Sequence, residues 1–348
     1  MKVFCYFVEP ASYTLDLARN IHDKVDIDYC FISSDTLVKS SFKSKKVFLN
    51  SLGLFSKLKY LIFNYKKNDF IIINGYNNYP FIITFICNMF SFKKKFIAIE
   101  SDTQLIIPNN LLKRFLKWIY LSIVFKSKYV LGFAGGSNSH KTLFRFYGMK
   151  EDRIFLMPMM VDNSKFYQEK ILLPNKFIFL FVGRLVKHKN VEGLIKQFNK
   201  NFANKNAILK IIGTGNEESY LIDKYAGDKV LFLGSMFNDD LIVEFKNASC
   251  FVLPSEFEPW GLVVNEALSA GLPVIATKQV GAVYDLITDK GTGVVADNMD
   301  DFGNKMLSFY NDSTKLIQCS KNAFDLMKNH WNYNLYNNCL QEALKRVK

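Results

Sequence analysis

SEFEPWGLVVNEALSAGLPVIAT, residues 255–277, contains a turn, a helix and a strand in close succession. The turn is predicted at Pro259–Gly261, the helix begins near Leu262 or Val263, and the apolar residues 274–276 form the strand. A helix between two short apolar runs is typical of a βαβ unit, from which parallel sheets are built. The segment therefore predicts an α/β fold for this part of the chain.

Two glutamates flank the start of this helix. Glu258 lies in the turn, and Glu266 lies on the first turn or so of the helix. The exposed N–H groups of a helix N-terminus bind phosphate, and Gly261 lets a ligand approach the backbone closely. Two glutamates at an arbitrary spacing are more often ordinary loop and helix acids. Here the turn, together with the break at Gly271–Pro273 before the strand, favours a ligand site.

The same alternation of short apolar runs and amphipathic stretches extends along the whole chain. Strands are predicted in the first half at Val3–Val8, Ile27–Ile32, Phe70–Ile73, Phe96–Ile99 and Tyr129–Phe133. They are predicted in the second half at Phe177–Val182, Ile208–Ile212, Val230–Leu233, Cys250–Leu253 and Val274–Ala276. The clearest helices are predicted at Lys113–Lys128, Val191–Asn199, Asp239–Asn247 and Val263–Ala270. We predict an α/β protein of two Rossmann-like, doubly wound domains facing a central cleft.

The pattern lapses around Pro158–Pro174, which we interpret as an interdomain linker. The first domain is then expected at residues 1–165 and the second at 166–330. A C-terminal helix at about 331–348 is expected to pack back on the first domain. Residues 41–67 alternate between basic and apolar, and the sequence places them only loosely.

Charge is distributed unevenly along the chain. Residues 1–170 contain 25 Lys and Arg against 13 Asp and Glu, whereas residues 171–348 contain 20 against 19. Nearly all of the net charge of +13 therefore lies in the first half. Such a field suggests an anionic partner: a membrane surface, a nucleic acid or a phosphorylated substrate. No nucleic-acid recognition motif accompanies the charge, so we expect no nucleic-acid partner.

The remaining composition is typical of a cytoplasmic globular protein. The six cysteines lie far apart with no CxxC pair, which suits reduced thiols. The opening MKVFCYF runs directly into Glu9 and is too short for a signal peptide. The longest apolar run, residues 81–92, is too short to span a membrane.

Four further segments accompany the two glutamates, namely YGMKEDRIFLMPMMVDNSKF (147–166), FVGRLVKHKN (181–190), IIGTGNEESYL (211–221) and VLFLGSM (230–236). Together with residues 255–277 they resemble the family 4 glycosyltransferases, retaining enzymes of the GT-B fold, over roughly residues 140–295. In the first half only the general layout agrees. The resemblance, to the bacterial surface-polysaccharide type, implies transfer of a sugar from a nucleotide-diphosphate sugar to a saccharide acceptor. It implies no cofactor and no metal.

The resemblance also assigns roles to residues. An Arg and a Lys spaced like Arg184 and Lys189 hold the donor diphosphate, and two fixed cations neutralise charge on such a leaving group. Glu258 would orient the transferred sugar and Glu266 the ribose, so the implied catalytic residues are Arg184, Lys189 and Glu258. The other implied donor-binding residues are Gly183, Gly213, Gly215, Ser235, Met236, Trp260, Gly261 and Leu262.

Each of these motifs also has a plainer interpretation when it is taken alone. The segment Gly183–Lys189 fits a solvated basic turn, Gly213-Thr-Gly215 fits a tight turn, and Met236 fits a core residue. Asp26 and Asp28 form a D-x-D pattern like that of metal-binding glycosyltransferases of another fold, but alternation along a strand explains it better. The four histidines have no ligand spacing, and no metal site is predicted.

The first half departs from the family at several positions. Glu9–Ser12 replaces a paired-glycine loop, and Glu100–Asp102 stands where many relatives carry a histidine. Gly135–Ser137 fits either a substrate loop or an ordinary turn. In the second half, Gly281-Ala282 and Asp285 replace the usual glycine pair and glutamate. These changes leave the acceptor-side residues open.

The basic segment 111–128 bears on the acceptor. It fits a helix on an anionic membrane face and equally an ordinary helix with solvated lysines. We expect a lipid-linked saccharide acceptor and a cytoplasmic location, peripheral on the inner face of the membrane. The alternative is a GT-B-like non-catalytic binding or regulatory subunit of a glycan-assembly complex, against which the intact Arg184, Lys189 and Glu258 argue.

Overall fold

The computed structural model describes residues 1–22, 25–33, 47–168 and 176–347, which form two compact units. Unit 1 consists of Met1–Met159 and Tyr333–Lys348, and unit 2 consists of Met160–Asn332. The sequence placed the corresponding boundaries after residues 165 and 330. Parts of the loosely placed segment 41–67 and of the expected linker 158–174 lie outside the described residues.

Unit 1 is built on a parallel sheet. Its strands are β1 (Val3–Phe7), β2 (Ile27–Phe31), β3 (Phe70–Asn74), β4 (Phe96–Ser101), β5 (Val130–Ala134) and β6 (Ile154–Leu156). The strand order is β2-β1-β3-β4-β5-β6, and Val3 of β1 lies opposite Ile27 on one side and Phe70 on the other. The helices that connect these strands are α1 (Ser12–His22), α2 (Leu54–Lys67), α3 (Tyr79–Phe90), α4 (Leu111–Lys126) and α5 (Asn138–Phe146). Runs of buried β-branched and aromatic residues explain why the strands lie in the middle of the unit.

Unit 2 repeats the architecture with a different strand order. Its strands are β7 (Phe177–Val182), β8 (Ala207–Ile212), β9 (Val230–Phe232), β10 (Cys250–Leu253), β11 (Val274–Thr277) and β12 (Gly293–Ala296). Its helices are α6 (Val191–Phe202), α7 (Glu218–Tyr225), α8 (Asn238–Asn247), α9 (Leu262–Ser269), α10 (Val283–Leu286), α11 (Met299–Asn311) and α12 (Ser313–Asp325). The order β12-β11-β10-β7-β8-β9 is that of a dinucleotide-binding Rossmann sheet. Its direction of winding reverses between β7 and β10, so a crevice opens at the carboxyl ends of these two strands.

The last helix returns the chain to unit 1. This helix, α13 (Tyr333–Arg346), packs against α1 and β6. The Tyr336 hydroxyl donates a hydrogen bond of 3.0 Å to Oε1 of the buried Glu100, and Asn74 Nδ2 donates one of 2.7 Å to Oε2. Burial raises the pKa of Glu100 to about 7. A polar anchor inside the unit thus holds the C-terminal helix on the first sheet.

The predicted fold class, α/β with two Rossmann-like doubly wound domains, is confirmed. All ten predicted strands are present, and the sequence missed β6 and β12. Both are short edge strands, of three and four residues. Within the described ranges, no helix is long and apolar enough to cross a membrane. All six cysteines carry free thiols.

Candidate active site

The predicted donor-site residues of unit 2 lie at the carboxyl ends of its central strands. Gly183 and Arg184 directly follow β7, the loop at Gly213–Gly215 follows β8, and the loop that begins at Pro254 follows β10. Because β7 and β10 are neighbours, the fold brings residues about 70 positions apart to one edge of the sheet. This edge is the crevice at which open α/β sheets bind ligands.

The loops after β7 and β8 lie backbone against backbone. A Cβ built on Gly213 would lie 2.0 Å from the Gly183 carbonyl oxygen, and the φ of Gly213 is 130°. The Gly213 N–H donates to the Gly234 carbonyl oxygen over 2.7 Å, and the Leu185 N–H donates to the Thr214 carbonyl oxygen over 2.8 Å. A side chain at Gly213 would push these two loops apart. Only glycine therefore allows the backbones to approach this closely.

A short turn after β7 carries two cations in different surroundings. Arg184 is exposed, whereas Lys189, at the end of the 3₁₀ turn Lys187–Lys189, is buried. Burial lowers the pKa of Lys189 to about 8, and the positive charge of Arg184 lowers it further in the same direction. Burial and the neighbouring cation both disfavour the charged ammonium, so Lys189 is stabilised by contact with an anion.

Lys189 forms an ion pair with Glu258 across the crevice edge. The lysine Nζ contacts the glutamate Oε2, and the side chains are 11% and 16% exposed. The Glu256 N–H also donates to the His188 carbonyl oxygen over 2.8 Å, so the backbone joins the same two loops. Two of the three predicted catalytic residues are therefore in direct contact.

The loop after β10 is fixed by the segment that follows β11. Glu258 forms a bridge with Val280, and the Gly281 N–H donates to the Glu258 carbonyl oxygen over 3.0 Å. The Ala282 N–H donates to the Trp260 carbonyl oxygen over 2.9 Å. From the sequence alone, Gly281 and Ala282 are only departures from the family pattern. The structure shows that they hold the loop that carries Glu258.

Gly261 and Leu262 form the start of α9. Gly261 has a φ of 93°, and a Cβ there would lie 3.1 Å from Glu258 Cγ and 3.3 Å from Val280 Cγ1. Glycine therefore allows both the left-handed turn and the packing of the Glu258 side chain against it. In the first turn of α9 the Val264 N–H donates to the Gly261 carbonyl oxygen over 2.8 Å, whereas the N–H groups of Leu262 and Val263 have no intrahelical acceptor, and the helix dipole makes this end partly positive.

Glu266 lies one turn further along α9. Its side chain is partly buried, and burial raises the pKa of its carboxyl to about 7. No residue in the described part of the chain makes a hydrogen bond or ion pair with this carboxylate. A desolvated carboxylate without a partner has a free-energy cost that a hydrogen-bonding ligand removes.

The remaining predicted residues lie in two different environments. Ser235 is exposed and its Oγ lies 3.3 Å from Thr214 Oγ1, and together with the partly exposed Met236 it lines an open surface pocket. Trp260 is 1% exposed, its ring stacks on Trp331 at 5.6 Å between centroids, and its Nε1 donates to Asn265 Oδ1. The structure therefore places the Trp260 ring in the core under the site rather than on a ligand-facing surface.

The aspartate and histidine residues that were considered as metal ligands make contacts elsewhere in the fold. Asp28 is exposed and pairs with Lys67 at 2.9 Å, and His140 is fully buried beside Ser139. Among the described residues, no group of three or more His, Cys, Asp and Glu side chains could hold a metal ion. The predicted site thus consists of two cations, two carboxylates, backbone N–H groups and a tight glycine loop.

Comparisons with known proteins show which family this part of the chain resembles. Residues 163–325 match the protein family described as glycosyl transferases group 1. An uncharacterized glycosyltransferase of Methanocaldococcus jannaschii is 38% identical over 148 residues, which are 39% of this chain and 38% of that protein. The chain therefore spans less than half the length of this relative. The matched family segment lies entirely within unit 2.

Solved structures resemble the whole chain in fold. HepE from Anabaena, crystallised with UDP, has a TM-score of 0.79 at 17% identity, over 99% of this chain and 100% of that chain. WaaG, a glycosyltransferase involved in lipopolysaccharide biosynthesis, has a TM-score of 0.65 at 14% identity, over 99% and 98% of the two chains. Both units therefore have the topology of GT-B glycosyltransferases.

Proposed function

We propose that this protein is a group 1 glycosyltransferase that moves a sugar, with retention of configuration, from a nucleotide-diphosphate sugar to a saccharide acceptor. The observation that carries the proposal is the grouping of Arg184, Lys189, Glu258 and Glu266 around the start of α9. It is supported by the family match over residues 163–325 and by the GT-B fold.

The diphosphate of the donor would bind between the two cations and the N-terminus of α9. Arg184 is exposed, Lys189 is buried, and the charge of Arg184 acts on Lys189, so the two cations can bind one diphosphate. The first-turn N–H groups of α9 supply further donors. Negative charge increases on this group as the bond to the sugar breaks, so these fixed positive groups stabilise the transition state more than the bound donor. We therefore propose that transfer needs no divalent cation.

The Lys189–Glu258 ion pair suggests how the site changes on binding. A diphosphate competes with Glu258 for the Lys189 ammonium, because both ligands are anions and the ammonium has only three donors. Once Lys189 turns toward the diphosphate, Glu258 can accept hydrogen bonds from hydroxyl groups of the transferred sugar. On donor binding, the ion pair would thus be replaced by two contacts, one from Lys189 to the diphosphate and one from Glu258 to the sugar.

Glu266 is the proposed partner of the ribose. Its carboxylate has no partner among the described residues, and it lies one helical turn behind the N–H groups that would face the phosphates. A ribose hydroxyl would satisfy this carboxylate. Ser235 and Met236, next to the Gly213 loop, would then lie on the side of the base.

For the acceptor, we propose a lipid-linked saccharide at the cytoplasmic face of the membrane, as in bacterial surface polysaccharide synthesis. The first 170 residues hold the excess positive charge. Helix α4 exposes Leu111, Leu112 and Leu116 beside its lysines. Exposed apolar side chains among basic ones are the pattern of a helix on an anionic bilayer.

The test of the activity is transfer from radiolabelled nucleotide sugars, screened first by thermal shift with the matching nucleoside diphosphates. A ligand at a hundredfold its Kd should stabilise the protein by about 2.7 kcal/mol. Transfer or slow hydrolysis of one donor in excess EDTA is expected. Activity that EDTA abolishes and magnesium restores would contradict the metal-independent mechanism. Donor binding with no turnover on any acceptor would indicate a non-catalytic subunit.

The membrane association has its own test. Co-sedimentation with vesicles should require anionic lipid and should weaken as salt is raised, because screening weakens surface charge interactions. Equal binding to neutral vesicles at high salt would contradict it.

A further inference from the structure

We propose that a groove beside α4 in unit 1 binds a single lipid phosphate, with the phosphate at Arg114 and the start of the hydrocarbon chain along the apolar wall. The groove is lined by Leu111, Arg114, Phe115, Trp118, Phe146 and Tyr147. The inference rests on the proposed function, because it names the chemical class of the molecule that would carry the acceptor.

The N-terminal half of α4 is exposed to an unusual degree. The buried residues of this helix, Leu121, Ser122, Val124 and Phe125, all lie in its C-terminal half. Leu111 is 77% exposed, Phe115 57% and Trp118 50%. A helix that flanks a sheet normally buries one apolar face along its whole length, and contiguous exposed apolar patches mark interaction sites.

Three separate segments build the walls of the groove. Lys117 Nζ donates to the Ile106 carbonyl oxygen over 2.8 Å, which attaches the segment before α4 to the helix. The same Nζ lies 5.9 Å from the centre of the Tyr147 ring, and Tyr147 packs edge-on against the core residue Phe125 at 6.3 Å. Phe146 packs against Tyr147 at 5.0 Å. The groove therefore has fixed walls from three places in the sequence.

The charge of the groove identifies the polar end of its ligand. Arg114 lines the groove, and no acidic residue occurs in the sequence between residues 103 and 150. Within the described residues, Arg114 takes part in no ion pair, and the nearby Lys117 adds a second positive charge. A guanidinium binds phosphate through two parallel N–H donors, which gives both affinity and orientation.

The apolar wall argues for a lipid rather than a soluble phosphate. Phe115, Trp118 and Phe146 present rings and no charge to the groove, and a hydrated anion gains nothing from them. An apolar peptide segment would cover the rings but would leave Arg114 without an anion. A phosphate attached to a hydrocarbon chain satisfies both parts of the surface.

Trp118 provides a direct measurement of binding. It is 50% exposed, whereas the other two tryptophans, Trp260 and Trp331, are 1% and 7% exposed. We expect dodecyl phosphate, titrated as a monomer below its micellar concentration, to shift the tryptophan emission to shorter wavelength in a saturable manner. Trp118→Phe should remove this signal, while binding measured by calorimetry persists.

Two variants test the position of the phosphate. Arg114→Gln should weaken the affinity for dodecyl phosphate by about tenfold or more, because it removes a charge-assisted contact. Lys113→Gln removes a charge from the next residue on the same helix, outside the groove, and should change the affinity little. Inorganic phosphate should bind far more weakly than dodecyl phosphate, and neutral dodecyl maltoside should not compete.

Three results would overturn the proposal: equal binding of dodecyl maltoside, an equal effect of the two substitutions, or a Trp118 response to anionic vesicles but not to the monomer. The last result would show a surface for a bilayer instead of a site for one lipid. Nucleoside-diphosphate affinity, measured in the same preparations, keeps the two proposals separate. Binding of alkyl phosphate without binding of any nucleoside diphosphate would contradict the proposed transferase activity and would still support the lipid-phosphate groove.

Discussion

Lys189 and Glu258, 69 residues apart in the sequence, form an ion pair between the turn after β7 and the loop after β10. Each was predicted to contact a different part of the donor. Their contact means that the two charges compensate each other within the protein, so a donor has to replace one interaction with another. This exchange makes the effect of removing either charge predictable.

Glu258→Gln should separate sugar transfer from phosphate binding. We expect turnover to fall by about a hundredfold or more, because the sugar loses an oriented carboxylate. Affinity for the bare nucleoside diphosphate should stay the same or rise by up to about tenfold, since Lys189 is released from its partner. Calorimetry with nucleoside diphosphate, beside transfer kinetics, measures both.

The matched control is Glu256→Gln, two residues earlier in the same loop, where the side chain is exposed. It should leave both quantities close to those of the unchanged protein. A loss of diphosphate affinity in Glu258→Gln would mean that Glu258 supports the phosphate site and does not orient the sugar.

Glu266→Gln should weaken binding of the donor through loss of the ribose contact alone. A ribose contact is much the same in the ground and transition states, so the donor KM should rise while kcat changes little. Nucleoside diphosphates lacking the 2′- or 3′-hydroxyl provide the sharper comparison. With the unchanged protein, one of these deoxy ligands should bind more weakly than the parent nucleoside diphosphate. With Glu266→Gln, the same deoxy ligand and its parent should bind about equally.

An unchanged preference for the hydroxylated ligand would remove Glu266 from the ribose site. Its partly buried carboxylate would then have a purely structural role.

Activity should fall at high pH because of Lys189. Burial and the positive charge of Arg184 lower the pKa of Lys189, to about 8, whereas the Glu258 carboxylate in contact with its Nζ acts in the opposite direction. The kcat/KM for the donor reports the free enzyme, in which this ion pair is present, and should decline above about pH 8. Lys189→Arg keeps the positive charge at all accessible pH values and should remove this decline, even if it lowers the maximum.

A decline at the same pH in Lys189→Arg would assign it to another group. The pH profile of Lys187→Arg, an exposed lysine of the same turn, should match that of the unchanged protein.

Local sequence signals predicted much of this site because turns and helix starts have local chemistry. The φ of 93° at Gly261 and the close backbone contact at Gly213 follow from residue types that can be read directly in the sequence. The neighbouring positions of β7 and β10 follow from the Rossmann pattern of unit 2. These features predicted the place of Arg184 and Lys189.

Contacts between distant residues could not be predicted in this way. Trp260 follows a turn and looked like a ligand-facing residue, but its ring stacks on Trp331, and no local pattern indicates that partner. The period of α4 predicted a helix, but it did not show that only the C-terminal half would be packed. The strands β6 and β12 were missed because they are defined by pairing with β5 and β11, which their own three or four residues do not indicate.

Glu100 should make unit 1 less stable as the pH rises. Its pKa is raised to about 7 in the folded protein, above its ordinary value of about 4.5, so folding favours the protonated form. Stability is therefore greatest below about pH 4.5 with respect to this group and declines until about pH 7. Glu100→Gln should raise stability above pH 7 by up to about 3 kcal/mol, as an upper bound, and should remove this part of the pH dependence.

The glutamine can keep both contacts, because its carbonyl oxygen accepts from Asn74 and its amide can donate to the Tyr336 hydroxyl. Denaturant unfolding between pH 5 and 8 measures the effect, with the exposed Glu342→Gln on α13 as control. A less stable Glu100→Gln at pH 8 would show that the charged carboxylate strengthens the anchor.

Arg184→Ala is the most direct test of the phosphate site. Arg184 is exposed at the end of β7 and faces no described acidic partner, so its removal leaves the protein's own contacts largely intact. Charge on the diphosphate is greatest as the sugar leaves, and the loss should therefore appear in kcat, by about 10²- to 10³-fold, more than in the donor KM. Lys187→Ala removes a charge from the same exposed turn and should reduce kcat by less than about threefold, because solvent and salt screen an exposed charge. Arg184→Lys restores the charge without the paired donors and should recover only part of the rate.

If Arg184→Ala raised the donor KM and kept kcat, the arginine would bind the donor without stabilising the departing diphosphate. If all of these variants transferred sugar at the rate of the unchanged protein, this edge of the unit 2 sheet would not be the active site.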